Sequence, residues 1–144
     1  MILKKVLENK PPGVVVVPPE LHISDVVALL AERRIGAVLI VNRENDLVGI
    51  LSERDIIHGL TSHAMAIFKL TAADLMTRNP MIASPSTRVE AAMEMMTEGH
   101  FRHLPVVEHG ELLGLVSIGD VVKARLDQHQ NEVDSLRAYV AGGV

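Results

Sequence analysis

Two heptapeptides carry the residue types that can do chemistry: Gly49-Ile-Leu-Ser52-Glu-Arg-Asp55 and Gly114-Leu-Val-Ser117-Ile-Gly-Asp120. In each, a glycine, a serine and an aspartate stand three residues apart, at the end of an apolar run of strand length. A hand-over from strand to helix at this point has a physical use. The first N–H groups of a helix lack intrahelical partners, so together they attract an anion. A serine hydroxyl there adds a hydrogen bond to a phosphate. A carboxylate such as Asp55 or Asp120 can accept from two adjacent hydroxyls, as on a ribose, and a guanidinium such as Arg54 gives charge-assisted bonds to phosphate oxygens. The same Ser-x-x-Asp spacing also makes an ordinary helix N-cap, with an acid near the positive helix end. Taken singly, each copy reads most simply as that cap.

The two motifs belong to a longer duplication, Val15–His58 repeated as Met81–Lys123. At an offset of 66, Pro19 meets Pro85, Ile23 meets Val89, and Val26, Val27 and Leu30 meet Ala92, Met93 and Met96. After one gap the offset is 65, and Gly49, Ser52 and Asp55 meet Gly114, Ser117 and Asp120. Such a duplication predicts two similar units that bury apolar faces against each other, with any site present twice about a pseudo-two-fold axis.

The elements that must position these residues follow from periodicity. Each repeat starts with a short strand (Val14–Val17; Met81–Ala83) that runs into a proline turn. A helix follows, with apolar residues at i, i+3, i+4 and i+7: Ile23, Val26, Val27 and Leu30, then Val89, Ala92, Met93 and Met96. Thr87-Arg88-Val89-Glu90 predicts a capping box at the start of the second of these helices. Strand pairs come next, Ala37–Val41 with Leu47–Leu51 and Leu104–Val107 with Leu112–Val116. Their turns hold Asn45-Asp46 and His109-Gly110. A second helix opens near Ser52 or Ser117, so each repeat is β-α-β-β-α.

Ile2, Leu3, Val6 and Leu7 predict a short N-terminal helix stopped by Pro11-Pro12-Gly13, and Thr71–Thr77 a short helix ended before Asn79-Pro80. The tail carries Val122, Leu126, His129, Val133, Leu136 and Val140 at a 4-3-4-3-4 spacing. That is a seam of nearly three heptads on one long helix, which either packs on its own domain or forms a dimer seam. The expected organisation is an N-terminal helix and linker (1–13), two repeats (14–70 and 71–126) and a helical tail (127–144). Together they make one compact α+β module.

Composition narrows the function classes. The chain has 144 residues, 48% of them hydrophobic, and a net charge of −4. No Lys/Arg cluster forms a basic stripe, which argues against nucleic acid as a partner. With two Phe, one Tyr and no Trp there is no base-stacking platform, so a nucleobase would be held by aliphatic walls. No apolar run approaches the roughly 20 residues of a membrane span. Lys4 and Lys5 break the N-terminal apolar stretch, which therefore does not read as a secretory signal. Zero cysteines fit a cytoplasmic setting. The seven histidines lack metal-ligand spacing, and His100, His58 and His63 read as surface or capping residues, with His103 the exception, open to a packing role or a phosphate contact. No P-loop, zincin motif or nucleophile elbow is present, and no carboxylate has a paired base, so no catalysis is expected.

Taken together, Asp74-Leu-Met-Thr77, Pro85, the Val89/Ala92 helix, Arg102-His-Leu-Pro-Val106, Gly114-Leu-Val-Ser-Ile-Gly-Asp120 and Val48-Gly-Ile-Leu-Ser-Glu-Arg-Asp55 resemble the CBS-pair family. Its members carry two tandem motifs that form a Bateman module, and the stand-alone bacterial type is the nearest likeness. The resemblance spans roughly Val14–Leu126. It implies a regulatory module, commonly a homodimer, that binds AMP, ADP, ATP, NAD(H) or S-adenosylmethionine in clefts between the motifs and modulates a partner protein yet to be identified. The motif aspartate would engage the ribose and the serine the phosphate, here Asp55 with Ser52 and Asp120 with Ser117. The copies also differ: Arg54 faces Gly119 in the alignment, and Gly36-Ala37 faces Arg102-His103. These four residues and Arg54 complete the expected ligand set, with two unequal sites. A ligand-free structural or adaptor dimer acting through the C-terminal helix is the competing reading.

Overall fold

The computed structural model describes residues 1–142. They divide into two compact units. The first comprises Gly13–Met81 together with His109–Leu112, and the second Met1–Pro12, Ile82–Glu108 and residues 113 onward.

The first unit follows the expected order closely. Strand β1 (Val16–Val17) leads to α2 (Ile23–Arg33), then β2 (Ala37–Val41), β3 (Leu47–Ser52) and α3 (Glu53–His63). A 3-10 turn (Ala64–Lys69), α4 (Ala72–Leu75) and β4 (Thr77–Arg78) complete it. The sheet order is β1-β2-β3-β4, with β1 parallel to β2 and the other pairs antiparallel. Asn45 takes φ +66° in the hairpin turn, as a left-handed turn residue should. Residues Ala37–Ile40 of β2 are all buried, so this strand reads as a continuous apolar run rather than an alternating one. Ile23, Val26 and Leu30 of α2 close over Val38, Ile40 and Leu51 to make the core.

The second unit contains α1 (Leu3–Glu8), α5 (Val89–Gly99), β5 (His103–Glu108), all but the first two residues of β6 (Glu111–Ser117), and α6 (Ile118–Gly142). Its core joins Leu3 and Val6 of α1 to Val89, Ala92, Met96, Leu104, Val106, Val116 and Val121. The repeat is visible even in backbone detail. Helices α2 and α5 both end in a left-handed residue, Arg34 (φ +53°) and His100 (φ +55°).

Three expectations need correction. The helix expected over Thr71–Thr77 is shorter, α4 ending at Leu75, because Thr77 and Arg78 pair with β3 as strand β4. Met81–Ala83 is not a strand: only Ala83 pairs, in a single parallel bridge to Val106. Its neighbours Met81 and Ile82 are exposed, and from Ser84 the backbone turns, with the Ser84 N–H donating to Thr87 Oγ1 at 3.1 Å. That bond also removes the predicted capping box at Thr87. Helix α5 starts one residue later, with Arg88 as N-cap residue and no side-chain cap. The Val89 N–H is instead satisfied by the Met1 carbonyl at 3.0 Å.

This last bond has a counterpart, because Ile23 N donates to the Leu70 carbonyl at 2.8 Å. Further pairs match in the same way. Leu3 N bonds Thr87 O and Lys4 N bonds Pro85 O, while Ala72 N bonds Leu21 O and Ala73 N bonds Pro19 O. Helices α1 and α4 are thus equivalent, with Leu7-Glu-Asn-Lys10-Pro11 corresponding to Met76-Thr-Arg-Asn79-Pro80. The segment ahead of the first repeat packs in the second unit, and the segment ahead of the second repeat packs in the first.

Helix α6 is continuous over 25 residues. Its first turns bury Val121 and Ala124, but Leu126, Leu136 and Val140 are 63%, 63% and 69% exposed. Packing on its own domain therefore does not account for the apolar stripe of the tail.

Candidate functional site

In the first unit Ser52 ends β3 and caps α3. The Ser52 hydroxyl accepts from the Asp55 N–H at 3.4 Å and donates to Asp55 Oδ2 at 3.0 Å, while the Ser52 N–H donates to the same oxygen at 2.8 Å. Gly36 and Ala37 sit beside this cap: Ala37 pairs with Ser52 across the sheet, and the Gly36 carbonyl accepts from the Glu53 N–H at 2.9 Å. Ser52, Asp55, Gly36 and Ala37 are therefore neighbours, as expected. Arg54 is exposed at the start of α3.

The second unit repeats the cap. Ser117 N donates to Asp120 Oδ2 at 2.8 Å, and Asp120 N donates to Ser117 Oγ at 3.1 Å. The Arg102 carbonyl takes the Ile118 N–H at 2.8 Å, as Gly36 takes that of Glu53. The Arg102 side chain is exposed, Gly119 stands where Arg54 does in the first copy, and His103 is half-buried at the start of β5.

These bonds change the expected chemistry. Of the four N–H groups that a helix start leaves unpaired, three are satisfied inside the protein in each copy: those of Ser52, Glu53 and Asp55, and those of Ser117, Ile118 and Asp120. The backbone thus offers an anion little, and charge for a phosphate must come from side chains such as Arg54. Each aspartate spends Oδ2 on its cap. In both aspartates Oδ1 has no hydrogen-bond partner among the described residues, so one carboxylate oxygen is open to a hydroxyl.

A residue missed from the sequence alone completes the second copy. Lys10 Nζ lies 2.7 Å from Asp120 Oδ2 and donates also to the Leu115 carbonyl at 2.8 Å. Burial on its own would raise the Asp120 pKa, but the hydrogen bonds from Lys10 and the Ser117 N–H, together with the lysine charge, outweigh it and hold the carboxyl below its ordinary value. The signal that could have found Lys10 is the correspondence of Leu7–Pro11 with Met76–Pro80, obscured by a three-residue length difference ahead of the repeat.

Each unit has a cavity. In the first, one of about 510 Å³ lies between α2 and α3, lined by Val27, Leu30, Ala31, Arg34, Ile35, Gly36, Glu53, Ile56 and Ile57. Its walls are mostly aliphatic, with Arg34 and Glu53 among them, and of the expected set it includes Gly36 but not Ala37, Ser52, Arg54 or Asp55. In the second, a smaller one of about 290 Å³ is lined by Val6, Asn9, Lys10, Asp120, Lys123, Ala124 and Asp127. Among the described residues no group of His, Asp or Glu is placed to hold a metal ion, and no helix is long and apolar enough to cross a membrane.

A family model described as "CBS domain" matches residues 10–62 and again 72–127. A mitochondrial CBS domain-containing protein of Arabidopsis thaliana is 35% identical over 83% of this chain, which spans 60% of that protein's length. Longer Arabidopsis relatives are matched over about a quarter of theirs. Among solved structures, a CBS-domain-containing protein from Agrobacterium tumefaciens aligns with a TM-score of 0.83 at 36% identity, over 86% of this chain and 92% of that one. A CBS domain protein from Pyrobaculum aerophilum, complexed with AMP, aligns with a TM-score of 0.74 at 29% identity, over 83% and 89%.

Proposed function

The chain belongs to the CBS-domain family, and from that premise we propose that it is a regulatory module for an adenine nucleotide or a related adenosyl ligand. One observation carries the reading furthest. Asp55 is fixed in place by its own cap yet keeps one carboxylate oxygen open, Arg54 beside it on α3 is exposed, and the same helix contributes Glu53, Ile56 and Ile57 to the cavity that Gly36 also lines. A fixed acceptor for a ribose hydroxyl, a cation for a phosphate and apolar walls for a base are the parts a nucleotide needs. The AMP complex of the Pyrobaculum relative supports the same ligand class.

On this reading the protein is a cytoplasmic homodimer without catalysis. Ligand favours one conformation and so changes its affinity for a regulated partner protein. Calorimetry and thermal shift with AMP, ADP, ATP, NADH and S-adenosylmethionine test it. At 100 times the dissociation constant a ligand stabilises by about 2.7 kcal/mol, and Asp55→Asn should remove that shift at its site. No shift with any of them at saturation overturns the proposal. The exposed stripe at Leu126, Leu136 and Val140 favours a second reading, an adaptor dimer acting through α6.

A further inference from the structure

We propose that the exposed stripe of α6 is a seam for a second copy of this chain, docked parallel and in register, with Glu132 of each copy against Arg137 of the other. The proposal rests on the homodimer of the preceding reading and not on its ligand. Val122, Leu126, His129, Leu136 and Val140 are exposed, and Val133 is half-buried. At 3.6 residues per turn this stripe lies roughly a third of the circumference away from Val121 and Ala124, the face that α6 buries in its own unit. The polar remainder of the helix does not suit a membrane surface. Its Lys123, Arg125 and Arg137 are outnumbered by Asp120, Asp127, Glu132 and Asp134, whereas a helix lying on lipid is rich in Lys and Arg.

The 4-3-4-3-4 spacing puts Leu126, Val133 and Val140 at the first core position of the heptad and Val122, His129 and Leu136 at the second. Valine at the first with leucine at the second, as in Val133, Leu136 and Val140, favours a two-stranded parallel seam. The flanking residues decide the direction. In a parallel pair, the residue before a first core position faces the partner's residue five places further on. Glu132 then faces the partner's Arg137, twice by symmetry, and Arg125 faces the partner's Gln130. In an antiparallel pair of the same overlap, Glu132 meets the partner's Glu132 and Lys123 the partner's Arg137, so every contact between charged residues joins like charges. His129 selects the same arrangement. Parallel and in register, it meets the partner's His129, and one imidazole can donate to the other. Antiparallel, it meets the partner's Val133, which leaves a buried ring N–H without an acceptor, at a cost.

The chain has no cysteine, so introduced cysteines report the arrangement directly. The full chain carrying Leu136→Cys is oxidised mildly and run on a gel without reductant. Sedimentation equilibrium gives the dimer dissociation constant of the parent and of charge variants. A parallel seam predicts that Leu136→Cys crosslinks to itself, because position 136 faces its own counterpart. In the antiparallel pair it would sit opposite position 126, about 15 Å along the helix from that counterpart and beyond the reach of a disulfide. Arg137→Glu should weaken the dimer roughly fivefold, as two opposite-charge pairs become like-charge ones, and adding Glu132→Arg should restore it. Both residues are exposed, so neither change disturbs the core of the unit. An antiparallel seam reverses the sign, because Arg137→Glu then faces Lys123 and tightens the dimer. A dimer in which Leu136→Cys fails to crosslink, or does so only when mixed with Leu126→Cys, overturns the seam and leaves the homodimer standing. So does one that Arg137→Glu tightens or leaves unchanged. A chain that stays monomeric in sedimentation overturns seam and homodimer together, gives the stripe to a different protein, and leaves the nucleotide reading intact.

Discussion

Gly114 meets Leu7 so closely that a Cβ on the glycine would lie 2.7 Å from Leu7 Cδ2. The equivalent pair is Gly49 with Met76, where the added atom would come 2.9 Å from Met76 Cγ and 3.1 Å from its Cβ. In each unit, the glycine of the motif is what lets the end of a short helix, α1 or α4, approach the strand.

The two contacts differ in how they can yield. Leu7 can turn its terminal methyl away, but Met76 is crowded close to its backbone and must move as a whole. Gly49→Ala is therefore expected to destabilise by about 1–3 kcal/mol, an overpacking cost, and Gly114→Ala by clearly less. Urea unfolding of the two variants checks the order; a larger loss for Gly114→Ala contradicts it.

The serine caps are worth stability independently of any ligand. Ser52→Ala and Ser117→Ala should each cost about 1 kcal/mol, as the loss of an N-cap does. Ser52→Ala also frees the Asp55 carboxylate from the hydroxyl that holds it at 3.0 Å, whereas Asp120 stays anchored by Lys10. Of the two, Ser52→Ala should show the greater loss of nucleotide affinity at its own site, read by calorimetry.

The Lys10–Asp120 pair carries a pH dependence of definite sign. The folded-state pKa of Asp120 is lowered, so its stabilising contribution is fully present above the unfolded-state value near 3.9 and is lost as pH falls through the lower folded value. The difference in unfolding free energy between wild type and Lys10→Met should thus be largest above about pH 5, at about 1 kcal/mol, and shrink below about pH 4. Denaturant titrations at pH 3, 4, 5 and 7 would show it. A difference that grows on acidification contradicts the assignment.

Most residues beyond Gln128 are exposed along α6. A chain ended at Asn131 should lose little of its own core and unfold within about 2 °C of the full chain when dilute. A larger drop that depends on protein concentration would mark Leu136 and Val140 as residues that a second copy covers.

Much of this molecule is local and was legible in the residues. The helical spacing of Ile23, Val26 and Leu30 recurs in Val89, Ala92 and Met96, the left-handed turn at Asn45 follows from its residue type, and the Ser52 and Ser117 caps follow from a three-residue spacing. Where local reasoning failed, a competing partner had come from elsewhere. The Thr87 capping box gave way because the Met1 carbonyl already held the first N–H of α5 and Ser84 had taken the threonine hydroxyl.

The same division applies to function. The duplicated β-α-β-β-α pattern, with a serine and an aspartate at each strand-to-helix junction, is encoded in the order of the residues alone, because periodicity and cap chemistry act over a few residues. That the two aspartates differ in what surrounds them follows from the folded chain. Lys10 reaches Asp120 across 110 positions of chain, carried there by α1, and no local pattern encodes a contact that depends on which core a short helix joins.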